Sequence, residues 1–252
     1  MASMITQFVK SAARAAGLEV RRRGEIPSHA VDIRHAEVFP SATYSPWLSD
    51  KQFSLVYQTI RKNTLVDVYR CYELWHLVAQ AAKLADGDLI EIGVWRGGTG
   101  GLIAKQCQLS GIDNSIYLCD TFRGVVKASS RDSTYVGGEH ADADKDKVLN
   151  LLRTLGTPRV QILDGIFPDD TGHVISERSF RFCHIDVDVY ESAKDIMSWI
   201  WPRLLPGGMV VFDDYGFHSC VGITRFVNEQ SAHPDRLVIH NLNGHALVIK
   251  MS

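Results

Sequence analysis

Residues 88–100 read DLIEIGVWRGGTG: a short apolar run ending at Ile92 passes directly into a glycine-rich turn, Gly93 to Gly97, that opens a helix. Glycines there permit a tight turn and a close approach of backbone to a ligand. The helix N-terminus offers amides to an anionic group. The turn departs from the dinucleotide pattern GxGxxG, which needs a glycine two positions after the first so that the backbone can meet a pyrophosphate. That position is Trp95. A cofactor that presents a carboxylate and an ammonium, such as S-adenosylmethionine, suits the turn better than NAD, with Glu91 close enough to shape the pocket.

Outward from this stretch the chain alternates two kinds of segment. SIYLCD, RVQILDG, FCHIDVDVY and GGMVVFDD read as strands; GGLIAKQCQL, DKVLNLLRTL, AKDIMSWIWPRL and VGITRFVNEQ read as helices. Such alternation predicts βαβ units and a mostly parallel sheet with ligands at the C-terminal strand ends. The closing runs RLVIH and HALVIK, joined by NLNG, predict an antiparallel hairpin at the sheet edge. Asp120 ends the second strand, where it would accept the ribose hydroxyls, and Asp164 ends the third, where it would take the adenine amino group.

Upstream, apolar spacing from residue 50 to 84 predicts two helices parted near Lys62-Asn63-Thr64. Residues 1–50 read as a peripheral extension broken by Pro27, Pro40 and Pro46, with a weak amphipathic helix at the start. The division expected is a 1–85 cover of extension and helices over an 86–252 cofactor-binding core. The long irregular segment 121–147 reads as a substrate lid hinged at Gly137-Gly138.

Four aspartates close two neighbouring strand-like runs: Asp186 and Asp188 in HIDVDVY, Asp213 and Asp214 in VFDDYG. Carboxylates clustered at buried strand ends are costly unless something positive lies between them. Residues two apart on a strand share a face, so Asp186 and Asp188 are expected to point to one side. An all-oxygen set of Asp186, Asp213 and Asp214 suits magnesium or a similar hard cation. Such an ion makes a hydroxyl acidic enough to lose its proton to a carboxylate base. Asp188 is assigned that role, with exchange between Asp186 and Asp188 left open; the alternative is that Asp188 caps the following helix. Tyr135, Glu139, His140, Tyr215 and His218 are candidate substrate contacts.

Composition sets outer bounds. A chain of 252 residues with 45% hydrophobic and 22% charged residues is ordinary for one soluble α/β domain. A formal charge of -2 disfavours a nucleic-acid partner, and no apolar stretch reaches the roughly 18–20 residues of a membrane helix. Five scattered cysteines without metal-ligand spacing point to reduced thiols in a cytoplasmic protein.

TLVDVYRCYELW, GDLIEIGVWRGGTG, LCDTFRGV, HIDVDVYES and VFDDYG, in this order and spacing, resemble the macrocin O-methyltransferase family from about residue 50 to the C-terminus. The resemblance implies a class I methyltransferase (Rossmann-like) fold of seven strands and a magnesium-dependent transfer of methyl from S-adenosylmethionine to a deoxysugar hydroxyl of a glycosylated antibiotic. It places Thr64 and Leu65 at the cofactor pocket, with Gly93, Val94, Trp95, Arg96 and Gly97 of the turn and Asp120 and Thr121 after the second strand. It places the two aspartates of the family's HIDxD motif on Asp186 and Asp188 and its metal-binding pair on Asp213 and Asp214, and it implies a homo-oligomer. Lid polarity (Ser129, Ser130, Arg131, Asp132, Ser133, Thr134) favours a sugar acceptor over a catechol-like diol. An NAD-dependent oxidoreductase and a noncatalytic binding protein are the competing classes.

Overall fold

A computed structural model describes residues 42–157 and 159–252 throughout and, ahead of them, residues 11, 13, 15, 16, 25, 26 and 32–38. Most of the expected N-terminal helix, and Pro27 and Pro40, lie outside the described residues. Two compact units are distinguished, Met1–Phe39 and Pro40–Ser252. In the first, Glu25–Ile26 and His35–Ala36 pair as a short antiparallel ribbon.

The second unit is built on seven strands: β1 (Asp88–Ile92), β2 (Ile116–Asp120), β3 (Val160–Asp164), β4 (Phe180–Ile185), β5 (Leu204–Phe212), β6 (Arg236–His240) and β7 (Ala246–Lys250). Their spatial order is β3-β2-β1-β4-β5-β7-β6. The first five run parallel, and β7 runs antiparallel to both β5 and β6. β1 and β4, at the centre, are buried along their whole length, the polar Asp88, Glu91, Arg181 and His184 included. The NLNG turn reverses the chain between β6 and β7, as expected.

Side-chain alternation sends successive strand residues to opposite helical layers. Leu89, Leu118, Phe182 and Val211 pack with α1 (Lys51–Ile60), α2 (Val68–Ala81), α3 (Gly98–Leu109) and α4 (Lys145–Leu155). Ile90, Tyr117, Cys183 and Phe212 pack with α5 (Tyr190–Ile200) and α6 (Val221–Gln230). The helices begin where their sequences place caps. Asp50 accepts from Phe53 N at 2.9 Å, and Asp144 from Asp146 N at 2.9 Å. Gly156, in the left-handed region, closes α4. In packing, α1 and α2 share one core with the sheet. Among the described residues, no helix is long and apolar enough to cross a membrane.

Candidate active site

A cavity opens at the C-terminal ends of β1, β2, β4 and β5, where the strand order reverses beside β1. Counted out to its open mouth, with the solvent space there included, it measures about 1060 Å³. Its wall contains Thr64, Leu65, Gly93, Val94, Trp95, Asp120, Thr121, Tyr135, His140 and all four aspartates.

The glycine turn is tied down from within. Val94 N and Trp95 N donate to Asp120 Oδ2 at 2.7 and 2.8 Å, and Phe122 N donates to Oδ1 at 2.6 Å. Gly97 N donates to Val94 O, and Gly98 N, the first amide of α3, to Asn63 O at 2.9 Å. The turn amides expected to face an anion are therefore largely spent on the turn itself. This disfavours a pyrophosphate there and makes Asp120 the knot that shapes the turn. Gly93 has φ +88, and a Cβ on it would fall 1.6 Å from Asp186 O, so only glycine fits against the neighbouring strand end.

Several expected contacts stand outside the cavity wall. Glu91 is fully buried beneath it because β1 and β4 pair Glu91 with His184; His184 Nδ1 lies 2.8 Å from Glu91 Oε1. Asp164 is exposed and pairs with Lys145 at 3.3 Å, while Gly165, Ile166 and Phe167 after it line the cavity. Arg96 turns outward over the Trp95 ring to Asp142. Gly97 serves as the N-terminal residue of α3, against Val148. Glu139 accepts from Val136 N and Gly137 N inside its own loop. Tyr215 donates to Asn228 at 2.6 Å, and His218 is exposed. Glu91, Asp164, Arg96, Glu139 and Tyr215 are each held by a partner outside the cavity wall.

The aspartates reach the cavity by a different route from the one expected. β4 ends at Ile185, so Asp186 and Asp188 are not strand neighbours on one face. Asp186 N continues the ladder to Ile92 O at 2.9 Å, and the chain then turns at Asp188, φ +64. After β5, Asp213 N bonds Ile185 O at 2.9 Å and the chain turns at Asp214, φ +63. Two left-handed non-glycine residues side by side, with Trp95 and His140 also at positive φ, place about 1–3 kcal/mol of backbone strain per residue around the cavity. Asp188 does not cap α5, whose first amide, Tyr190 N, donates to Asp132 Oδ1 at 2.9 Å.

One oxygen each of Asp186, Asp213 and Asp214 lie within 4.8 Å of one another. Burial, then the charges of Asp213, Asp214 and Asp188, push the Asp186 carboxyl well above the usual range. Asp214 is pushed up by burial and by Asp213 and Asp188. Asp188 is raised by burial, an effect that its hydrogen bond to Tyr135 and the nearby His140 oppose. Burial also acts upward on Asp213, but His245 and Arg70 outweigh it and hold this carboxyl well below the usual range. Three hard oxygen donors in mutual repulsion, facing a cavity, form a set that a dication fits.

Arg70 is a site residue that sequence reading missed. Asp67 caps α2 by accepting from Tyr69 N at 2.9 Å and also takes Arg70 Nε at 2.9 Å, aiming the guanidinium at Asp213. The signal was an Asp-x-x-Arg spacing at a helix start. His245 reaches the site through strand register. β5 and β7 pair Phe212 with Ala246, so the preceding His245 falls opposite Asp213.

The lid is folded against α5. Lys127 pairs with Asp169 at 2.8 Å and Asp195 at 2.6 Å, Ser192 Oγ donates to Val126 O, and Arg131 lies over the Tyr190 ring. Ser129, Asp132 and Ser133, part of the polarity that favoured a sugar acceptor, make their hydrogen bonds within the loop, to α5 or to the chain ahead of α6; the lid reaches the cavity through Tyr135, His140 and the stretch from Gly124 to Val126.

The family model described as Macrocin-O-methyltransferase (TylF) matches residues 57–241. The chain is 31% identical over 172 residues to the 8-demethyl-8-(2,3-dimethoxy-alpha-L-rhamnosyl)-tetracenomycin-C 4'-O-methyltransferase of Streptomyces olivaceus, covering 63% of this chain and 64% of that one. It is 28% identical over 176 residues to the mycinamicin III 3''-O-methyltransferase of Micromonospora griseorubida, covering 63% and 67%. The matches thus span about two thirds of these relatives. Among solved structures, the O-methyltransferase NovP superposes with a TM-score of 0.63 at 22% identity, over 75% of this chain and 83% of that one. The calicheamicin methyltransferase CalS11 gives 0.61 at 16% identity, over 84% and 99%. The shared architecture is the class I O-methyltransferase fold.

Proposed function

The chain belongs to the macrocin-O-methyltransferase family, and on that premise we propose that it transfers the methyl group of S-adenosylmethionine to a sugar hydroxyl of a glycosylated natural product, with magnesium or a similar hard dication at the acceptor. The observation that carries the reading is the convergence of Asp186, Asp213 and Asp214 within 4.8 Å, beside Asp188, on the cavity that the Gly93 turn frames.

The wall fits a cofactor without phosphates. Its turn amides are bonded internally, and its one arginine, Arg70, is engaged by Asp67 and Asp213. Gly93, Val94, Trp95, Thr121, Thr64 and Leu65 surround the cofactor, with Asp120 available to its ribose. Gly165 to Phe167 take the place at the end of β3 that Asp164 was expected to fill. The cavity-lining stretch from Asn63 to Val66 supplies the cover expected of residues 1–85.

Asp186, Asp213 and Asp214 hold the cation. When bound, such an ion lowers the pKa of a hydroxyl beside it by several units. Asp188 takes the hydroxyl proton as the oxygen–carbon bond forms and the carbon–sulfur bond breaks. Tyr135 and His140, flanking Asp188, orient the acceptor. In-line geometry supplies much of the rate.

The sugar assignment draws on the relatives, one of which is named as the 4'-O-methyltransferase of a rhamnosyl-tetracenomycin. The same proposal includes a cytoplasmic homo-oligomer, read by light scattering. The deciding experiment measures S-adenosylhomocysteine release with deoxysugar glycosides and with catechol-like diols, each with magnesium or with chelator. Turnover of glycosides that chelator abolishes supports the reading. Turnover that chelator leaves untouched removes the metal, and methylation confined to catechols removes the sugar.

A further inference from the structure

Arg70, on the cavity wall, and the buried His245 both meet the same oxygen of Asp213. Arg70 Nη1 donates to Oδ1, and His245 Nε2 stands 3.2 Å from it, an ion-pair contact that falls short of a well-aligned hydrogen bond. This leaves Oδ2 as the oxygen for a bound cation. On its other side the His245 ring has Nδ1 2.9 Å from Glu73 Oε2. Glu73 is in turn gripped by the side-chain amides of Asn241 and Asn243, the latter at 2.5 Å. His245 is fully buried, whereas the Glu73 side chain is 20% exposed. The chain Glu73–His245–Asp213 thus runs from α2, through the turn that joins β6 to β7, to a carboxylate on the cavity wall.

We propose that Glu73 and His245 are positioning residues of the cation site: Glu73 fixes the His245 ring, and the ring fixes the rotamer of Asp213 so that its free oxygen faces Asp186 and Asp214. The inference rests on the reading of those three aspartates as a cation site. A buried acid–imidazole–acid chain is an expensive way to fasten a hairpin to a helix, because apolar residues of similar volume would do so at least as well. Its cost is explained by what it terminates on. Groups that hydrogen-bond the ligating side chains typically change metal affinity by about 10–100-fold when removed, since they set ligand orientation before the ion arrives. The NLNG turn then has a second task, since two of its asparagines hold Glu73 in place.

The test uses Mn2+ as probe, with binding followed by loss of the free-ion paramagnetic resonance signal in the full chain, and S-adenosylmethionine affinity by calorimetry. Glu73→Gln keeps the shape of the side chain while weakening its hold on the imidazole. It should weaken Mn2+ binding by about tenfold or more, with cofactor affinity changed less than about twofold. His245→Gln, which can place an amide donor near the Nε2 position, should retain more Mn2+ affinity than His245→Ala. If His245→Ala fails to fold, Glu73→Gln, altered at a partly exposed position, carries the comparison. Wild-type Mn2+ affinity in Glu73→Gln, with or without a lower Tm, would assign the chain a purely structural role and overturn the proposal. If the wild-type protein itself binds no Mn2+ at millimolar concentration, the cation site fails and this inference goes with it.

Discussion

Asp132, in the segment between β2 and α4, accepts the amide hydrogen of Tyr190 at 2.9 Å and so satisfies the first turn of a helix 58 positions further along the chain. α5 has no side-chain cap of its own; Val189 stands at that position. The other Asp132 oxygen accepts from Ser129 N at 2.9 Å, closing the loop on itself. One carboxylate therefore joins the lid to the helix that follows Asp188. The orphan amides of a helix start are the physical reason such a contact holds.

Removing this carboxylate should free the lid. Asp132→Ala is expected to lower the unfolding free energy by about 1–2 kcal/mol, the usual worth of a cap, and to speed proteolysis within 121–147. Gly222→Ala should act similarly, since a Cβ there would fall 1.9 Å from Asp132 Oδ1. Urea unfolding and limited proteolysis check both; unchanged cleavage would show that the lid is held by other contacts.

Asp188→Asn should bind S-adenosylmethionine and Mg2+ as the wild type does and lose about 10²–10⁴-fold in kcat, the range of a lost general base. Single-turnover kinetics at saturating cofactor and metal make the measurement. Full turnover would move the base to another residue, with Asp186 the first alternative.

Tyr135 hydrogen-bonds Asp188, and its hydroxyl lies 3.4 Å from His140 Nε2. Burial first, then the Asp188 charge, hold the phenol well above its ordinary value, so it stays a neutral donor. Tyr135→Phe removes a hydrogen bond to a charged group, worth about 1.5–3 kcal/mol, and is expected to lower kcat about tenfold or more with little change in cofactor affinity. An unchanged kcat would confine Tyr135 to packing.

The pH dependence of stability follows from Asp186 and Asp214, whose carboxyls are raised in the folded chain. Between the unfolded value, about 4, and the raised values, the folded protein binds more protons than the unfolded one. Cation-free stability therefore falls as pH rises through that window. Asp213 has the opposite sign, but its depressed value confines its effect to pH below about 4. Cation binding displaces the protons, so Mg2+ should raise Tm more at about pH 8 than at about pH 5.5. Thermal scans of chelator-treated protein with and without Mg2+ test this, and a pH-independent gain would contradict it.

Much of the fold was legible because its signals are local. Alternating strand-like and helix-like segments marked the βαβ order, and the NLNG turn marked the hairpin. The four aspartates and the Gly93 turn were legible as a group because both lie where strands end. Arg70 and Glu73 were not, because each acquires its meaning from a partner far along the chain: Arg70 lies 143 positions from Asp213, and Glu73 lies 172 from His245. Asp164 and Glu91 looked like ligands by position and are spent on Lys145 and His184.

The sequence by itself determined the order of strands and helices, the glycine that a crowded strand end requires at Gly93, and the concentration of acid at two strand ends, since periodicity, backbone conformation and the cost of buried charge act over a few residues. The tertiary structure alone decided what each acid does. Register across β1 and β4 sends Glu91 to His184, and register across β5 and β7 sets His245 opposite Asp213. Left-handed turns at Asp188 and Asp214, rather than strand alternation, bring their carboxylates to the cavity. The division falls there because a buried carboxylate is governed by the charges and donors within a few ångströms of it, and the sheet, not the chain, chooses those neighbours.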